Sequence, residues 1–168
     1  MKSTVYLTGF MGTGKSVVGK ALAKRLGRTF VDLDAVIERK AGCSVAELFS
    51  KRGEKEFRRL ERAALKKTAK KEKIVVALGG GALLDKNNWA LVEKNGILVK
   101  LSCSRRELVR RLRASRLSRP LLSGGSLDDR VRNLLRERRG AHGKASIAVS
   151  TTGRSADSAA RFIARRML

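Results

Sequence analysis

The residues of this 168-residue chain with the most specific chemistry are Gly9-Phe10-Met11-Gly12-Thr13-Gly14-Lys15-Ser16. Their Gly-x-x-x-x-Gly-Lys-Ser spacing is that of a loop that wraps phosphates. The glycines let successive backbone N–H groups turn inward on an anion. A helix following the loop points its positive end at the same anion. Gly12, Thr13, Gly14, Lys15, Ser16 and Val17 are the expected contacts to ATP. Lys15 is placed to reach the β- and γ-phosphates, and Ser16 to ligate Mg²⁺. This motif identifies a phosphoryl donor and leaves the acceptor blank.

Four other features are candidates for the acceptor side. Asp32-Leu33-Asp34 closes an apolar run. Read as extended chain, it turns both carboxylates to one side. Asp32 then holds a magnesium-bound water, and Asp34 receives the proton of an attacking hydroxyl or anchors hydroxyl groups. Asp34 also suits the cap of a helix beginning at Ala35, and the two roles are compatible. Glu54-x-x-Phe57-Arg58-x-x-Glu61 places Arg58 and Glu61 one helical turn apart, where pairing would orient the guanidinium toward a carboxylate. By charge alone, a solvated salt bridge is the favoured reading of that pair. Gly79-Gly80-Gly81 follows the run Ile74–Leu78; three glycines at a strand end suit a second backbone cradle. Finally, Arg119-Pro120 lies in an irregular stretch, 115–126, that is long for a connection and reads as a mobile lid of about 113–126. A lid arginine neutralises the transferring phosphoryl group and excludes water.

These groups need a scaffold that brings them to one edge. Apolar runs at Thr4–Thr8, Thr29–Leu33, Ile74–Leu78, Ile97–Leu101 and Ile147–Ser150 alternate with helical patterns. The helical patterns are Lys15–Leu26, Ser44–Lys71, Lys86–Lys94, Ser104–Ala114, Leu127–Arg139 and Ala156–Met167. The expectation is an α/β fold: a three-layer α/β/α domain over 1–168 with a five-stranded parallel sheet. Ligands of such sheets bind at the carboxyl ends of the strands.

Composition limits the alternatives. Lys and Arg total 39 against 15 acids, a net charge of +24. The basic residues divide evenly between the two halves of the chain, and aromatics are 4%. That argues against a basic tail and against a base-stacking platform, so no dedicated nucleic-acid binding is expected. No apolar run reaches the ~20 residues that span a bilayer. The N-terminus reads as a strand rather than a signal peptide. Cys43 and Cys103 fit idle thiols in a reducing cytosol, and a cytoplasmic monomer is expected.

Taken together, these motifs resemble the shikimate kinase family, in the nucleoside-monophosphate-kinase branch of P-loop folds. The resemblance runs nearly end to end. It is carried by Gly9–Gly19, Asp32-Leu33-Asp34, Phe57-Arg58-Arg59-Leu60-Glu61, Leu78-Gly79-Gly80-Gly81-Ala82 and Arg119-Pro120-Leu121-Leu122. It implies MgATP-dependent phosphorylation of the 3-hydroxyl of shikimate, in aromatic amino-acid biosynthesis. It assigns Asp34, Arg58 and Gly79–Gly81 to shikimate, and Arg119 to ATP phosphates. A further family arginine, which binds the shikimate carboxylate, falls on Arg138, with Arg139 the alternative. The Pro-Leu-Tyr that follows it in the family is Gly140-Ala141-His142 here. Arg154 resembles an arginine that lies beside adenine.

Overall fold

The computed structural model describes residues 4–115, 122, 125–138 and 145–167. Strands β1 (Thr4–Thr8), β2 (Thr29–Asp32), β3 (Ile74–Ala77), β4 (Gly96–Ser102) and β5 (Ile147–Ser150) form one sheet in the order β2-β3-β1-β4-β5. All pairings are parallel. The helices are α1 (Lys15–Leu26), α2 (Leu33–Ala41), α3 (Val45–Thr68), α4 (Lys86–Asn95), α5 (Arg105–Ala114), α6 (Leu127–Glu137) and α7 (Ala156–Arg166).

The period-two alternation of strands sets the layers. From β1, Val5 and Leu7 enter a core with Val18, Leu22, Val99 and Ile163, which buries α1 and α7. Tyr6 points the other way, into a core with Leu33, Leu48, Phe57 and Leu65 from α2 and α3. A third cluster, of Phe10, Leu108, Leu112 and Val131, fastens the α5–α6 pair beside the phosphate loop. The expected α/β/α architecture is what the chain forms.

Two elements differ from their sequence reading. Helix α2 begins directly at Leu33, so β2 is one residue shorter and Asp34 lies in a helical turn rather than on a strand. The cap is Asp32, whose Oδ1 accepts from the Asp34 N–H at 3.2 Å. Capping a helix satisfies an otherwise orphaned donor, and the apolar spacing of Leu33, Val36 and Ile37 gives that helix a face to bury. The long helical pattern at 44–71 contains a break at Gly53, where φ is 76°. Ser44 and Glu47 form a reciprocal capping box at its start.

No helix among the described residues is long and apolar enough to cross a membrane. The lid residues 116–121 and 123–124, Arg119 included, lie outside the described residues, as do Arg139 and Gly140-Ala141-His142.

Candidate active site

The phosphate loop joins β1 to α1. Gly9 has φ 145°, and a Cβ there would lie 2.3 Å from the Leu101 carbonyl oxygen of the neighbouring strand. Only glycine lets the loop leave the sheet at that height. Thr13 Oγ1 donates to the Phe10 carbonyl at 2.7 Å, and the Lys15 ammonium donates to the Gly9 and Phe10 carbonyls at 2.8 and 3.1 Å. Gly14, at φ 92°, is the cap of α1. Among the described residues, α1 is the one α-helix with neither a side-chain cap bond nor an acid in its first turn. Its positive end is thus left for an outside anion. Val17, in that first turn, is 58% exposed at the cleft.

Ser16 Oγ donates to Asp32 Oδ2 at 2.6 Å. The two predicted metal residues are therefore in contact. Asp32 spends one oxygen on the α2 cap and presents the other to Ser16. Among the described residues no cluster of three or more His, Cys, Asp or Glu makes a protein cage for a metal. A hydroxyl and one carboxylate, with the rest of the shell left to water and phosphate, is the donor set that suits Mg²⁺.

A cleft of about 510 Å³ runs from this loop to α3, lined by Lys15, Asp34, Arg58, Glu61, Gly79–Gly81 and Arg138 among others. The triple glycine follows β3 and is where these side chains converge. A Cβ on Gly79 would lie 2.5 Å from Glu61 Oε1 and 3.2 Å from Asp34 Oδ1. On Gly80 it would lie 3.2 Å from Arg138 Nη1, and on Gly81 2.8 Å from Arg58 Nη2 and 3.3 Å from Arg138 Nη2. The nearest neighbour of each successive glycine is thus a different charged side chain.

Arg58 donates to Glu61 at 2.7 Å and to Glu54 at 3.0 Å. This is not the solvated pair that charge alone favours: Glu61 is 1% exposed and the Arg58 side chain 22%. Burial pushes the Glu61 carboxyl upward, and attraction to Arg58 only partly offsets it. Burial also opposes the Arg58 charge, but Glu61 and Glu54 outweigh it and leave the guanidinium above its ordinary range. Arg138 follows the last turn of α6, is 5% exposed and lies over the Phe10 ring. Its Nη1 is buried with no hydrogen-bond partner among the described residues, and burial followed by the Arg58 charge lowers its pKa.

The structure also assembles a contact that sequence spacing does not single out. Arg111 Nη1 donates to the Gly12 carbonyl at 3.3 Å and to Thr151 Oγ1 at 3.1 Å, and its Nη2 donates to the Thr151 carbonyl at 2.9 Å. Thr151 Oγ1 in turn donates to the Thr13 carbonyl at 2.9 Å. This ties the phosphate loop to α5 and to the turn after β5. Nothing in the run Arg110-Arg111-x-Arg113 distinguishes Arg111, because its partner lies 40 residues away. Arg154, three residues beyond Thr151, is exposed, packs on the Phe162 ring and does not line the cleft.

The shikimate kinase family profile matches residues 11–167. A shikimate kinase from Synechococcus sp. (strain RCC307) is 41% identical over 165 residues, covering 98% of this chain and 84% of that one. One from Geobacter metallireducens is 42% identical over 153 residues, covering 91% of this chain and 85% of the relative. The solved structure of a shikimate kinase from Acinetobacter baumannii in complex with shikimate superposes with a TM-score of 0.93 at 33% identity, covering 98% of this chain and 92% of that one. Profile, relatives and superposition agree: this chain belongs to the shikimate kinase family.

Proposed function

We propose that this chain transfers the γ-phosphoryl group of ATP to the 3-hydroxyl of shikimate, giving shikimate 3-phosphate and ADP on the route to chorismate and the aromatic amino acids. The observation that carries this reading is the convergence of Asp34, Arg58, Glu61 and Arg138 on Gly79–Gly81, in the same cleft as Lys15 and Ser16. Shikimate is a small ring with a carboxylate and hydroxyl groups. Arg58 and Arg138 supply cations for the carboxylate, and Asp34 an acceptor for a hydroxyl.

In this reading Gly12–Val17 hold the phosphates on backbone N–H groups, and Lys15 leaves the Gly9 and Phe10 carbonyls for the β- and γ-oxygens. Ser16 and Asp32 would hold Mg²⁺, Asp32 through water; the ion would neutralise charge on the phosphate oxygens. Asp34 receives the proton as the 3-hydroxyl attacks in line. Arg119 enters from sequence alone, as the lid arginine over the transferring group, and Arg154 as the neighbour of adenine. Most of the rate enhancement asked of such a site is positioning and charge stabilisation, not covalent chemistry. Both ends of the cleft come from one chain, which supports a monomer as the catalytic unit. Residues 1–168 act as a single domain whose lid spans about 113–126.

The test is ADP release from ATP, coupled to NADH oxidation, with shikimate as acceptor. Turnover with shikimate, and a far lower rate with gluconate or nucleoside monophosphates, is expected. No turnover with shikimate at any reasonable Mg²⁺ concentration would overturn the proposal.

A further inference from the structure

The net charge of +24 is far more than the cleft uses, and part of it gathers at one edge of the sheet. Helices α1, α3 and α4 all end at the sheet edge where the strands begin, opposite the carboxyl edge that carries the cleft. The contacts at that edge are explicit. Thr4 Oγ1 of β1 donates to the Lys71 carbonyl, the Thr29 N–H of β2 to the Lys73 carbonyl, and Thr4 is in register with Gly96 of β4. The last turns and following residues of these helices carry exposed Lys24, Lys66, Lys67, Lys70, Lys71 and Lys94. None of the six joins a salt bridge among the described residues. The α5–α6 surface is mixed: Arg105, Arg110 and Arg132 are paired with Asp128, Glu107 and Asp129, whereas the exposed Arg106, Arg113 and Arg136 join no salt bridge among the described residues.

Cations at helix C-termini complement the helix dipole, and one or two per helix need no further reason. The α3 end goes beyond that, with four exposed lysines in Lys66–Lys71 and Lys73 in the turn to β3, against one exposed acid, Glu72. Lys73 adds an independent sign. Its φ is 52°, and every other described residue at such an angle is glycine. A lysine in a conformation that glycine adopts more easily keeps a charged side chain at this edge despite the strain.

We infer that this lysine-rich edge binds the phosphate backbone of double-stranded nucleic acid, independently of the kinase cleft. Lysine is a compact point charge that suits phosphate without the planar fork by which arginine reads guanine, so the binding is sequence-independent. Few aromatics are present to stack unpaired bases, which favours a duplex over a single strand. The even division of basic residues along the sequence hides this edge, because helices distant in the chain end at the same sheet edge.

Fluorescence anisotropy of the full chain with a labelled mixed-sequence DNA duplex tests this across a salt series. Six phosphate contacts give a slope of log K against log salt of about −5. In Lys66→Gln/Lys67→Gln/Lys70→Gln/Lys71→Gln the slope falls to about −2, with affinity at least tenfold weaker at 0.1 M salt. A control with the same charge change at scattered exposed positions, Lys20→Gln/Lys40→Gln/Lys55→Gln/Arg106→Gln, keeps affinity within about threefold. The quadruple edge variant retains the wild-type circular dichroism spectrum and the turnover of ATP and shikimate. Equal losses in both variants would overturn the inference in favour of diffuse basicity. So would absence of duplex binding at low salt, tighter binding of single strands, or lysine-dependent capture of phosphatidylserine vesicles without duplex binding.

Discussion

Gly79→Ala is the sharpest test of how the acceptor end is built. The new methyl would lie 2.5 Å from Glu61 Oε1, so about 0.9 Å of movement is needed to reach an ordinary 3.4 Å contact. A free glutamate would yield at little cost. Glu61 is 1% exposed and held by Arg58 at 2.7 Å, so the displacement passes to the guanidinium. Asp34 Oδ1, 3.2 Å from the same methyl, blocks retreat in the other direction. A misplacement of about 1 Å in a positioning group costs up to ~10²-fold in rate, or about 2.7 kcal/mol. The expected outcome is a 10- to 100-fold loss in kcat/KM for shikimate with the KM for ATP within about twofold of wild type. Steady-state kinetics with each substrate varied in turn gives both numbers. The Glu61→Ala background supplies the control: with the clashing carboxylate gone, adding Gly79→Ala costs less than about threefold more, a large non-additivity for residues in contact. Shikimate kinetics within twofold of wild type in Gly79→Ala alone would refute the reasoning.

Four further outcomes follow from the same geometry. Asp34→Asn keeps the fold, since Asp32 and not Asp34 caps α2, and loses activity by ~10³-fold or more; near-normal turnover would remove Asp34 as proton acceptor. Arg58→Ala raises the KM for shikimate at least tenfold and also lowers the melting temperature, because it strands the buried Glu61; an unchanged affinity would reject the carboxylate clamp. Arg138→Ala weakens shikimate binding comparably but leaves the melting temperature unchanged or higher, because it removes a buried cation beside Arg58; a large destabilisation would show that Arg138 is structural. Glu61→Gln separates stability from function by pH. The folded carboxyl is pushed above its ordinary value, so the stability it supplies is present below the usual glutamate range and is lost as pH rises through the folded value. Wild type therefore loses stability relative to Glu61→Gln over that window in pH-dependent thermal melts. Its KM for shikimate moves the opposite way, rising as pH falls through the same window and the ionised partner of Arg58 disappears; a flat KM profile would exclude Glu61 as the anchor.

How much of this was legible depended on whether the deciding contact was local. The phosphate loop was readable because its spacing, the strand before it and the helix after it are contiguous. The five strands were readable because buried parallel strands are short apolar runs. Helix α2 was expected to start at Ala35 rather than Leu33 because Asp32-Leu33-Asp34 sits where both a strand end and a helix start are chemically reasonable. The spacing of Leu33, Val36 and Ile37 is the signal that decides for the helix. Arg58 and Glu61 were visible as a pair, but their burial was not: it is set by Gly79, 18 positions beyond Glu61, whose missing side chain makes the room. Arg111 was invisible for the same reason, since the carbonyls of Gly12 and Thr151 that single it out are far away in sequence.

The triple glycine connects these observations. Side chains at 79, 80 and 81 would meet Glu61, Arg138 and Arg58 in turn, so each absent Cβ is the space into which a charged group has moved. The result is a site with two guanidiniums at one glycine, Arg58 compensated by Glu61 and Glu54, and Arg138 with a buried nitrogen that no acceptor among the described residues reaches. Left to itself, this arrangement is unfavourable: burial and the neighbouring Arg58 charge both press on the Arg138 cation. A carboxylate placed between them reverses both terms, because it accepts from the unsatisfied nitrogen and screens one cation from the other. In the proposed reading, binding a carboxylate there relieves strain already present in the protein. The same logic explains why a second carboxylate, Glu61, can be tolerated so close to Asp34. It is the buried negative charge that holds the Arg58 guanidinium in place, while Asp34, in the first turn of α2, would be left to face the hydroxyl in the proposed reading.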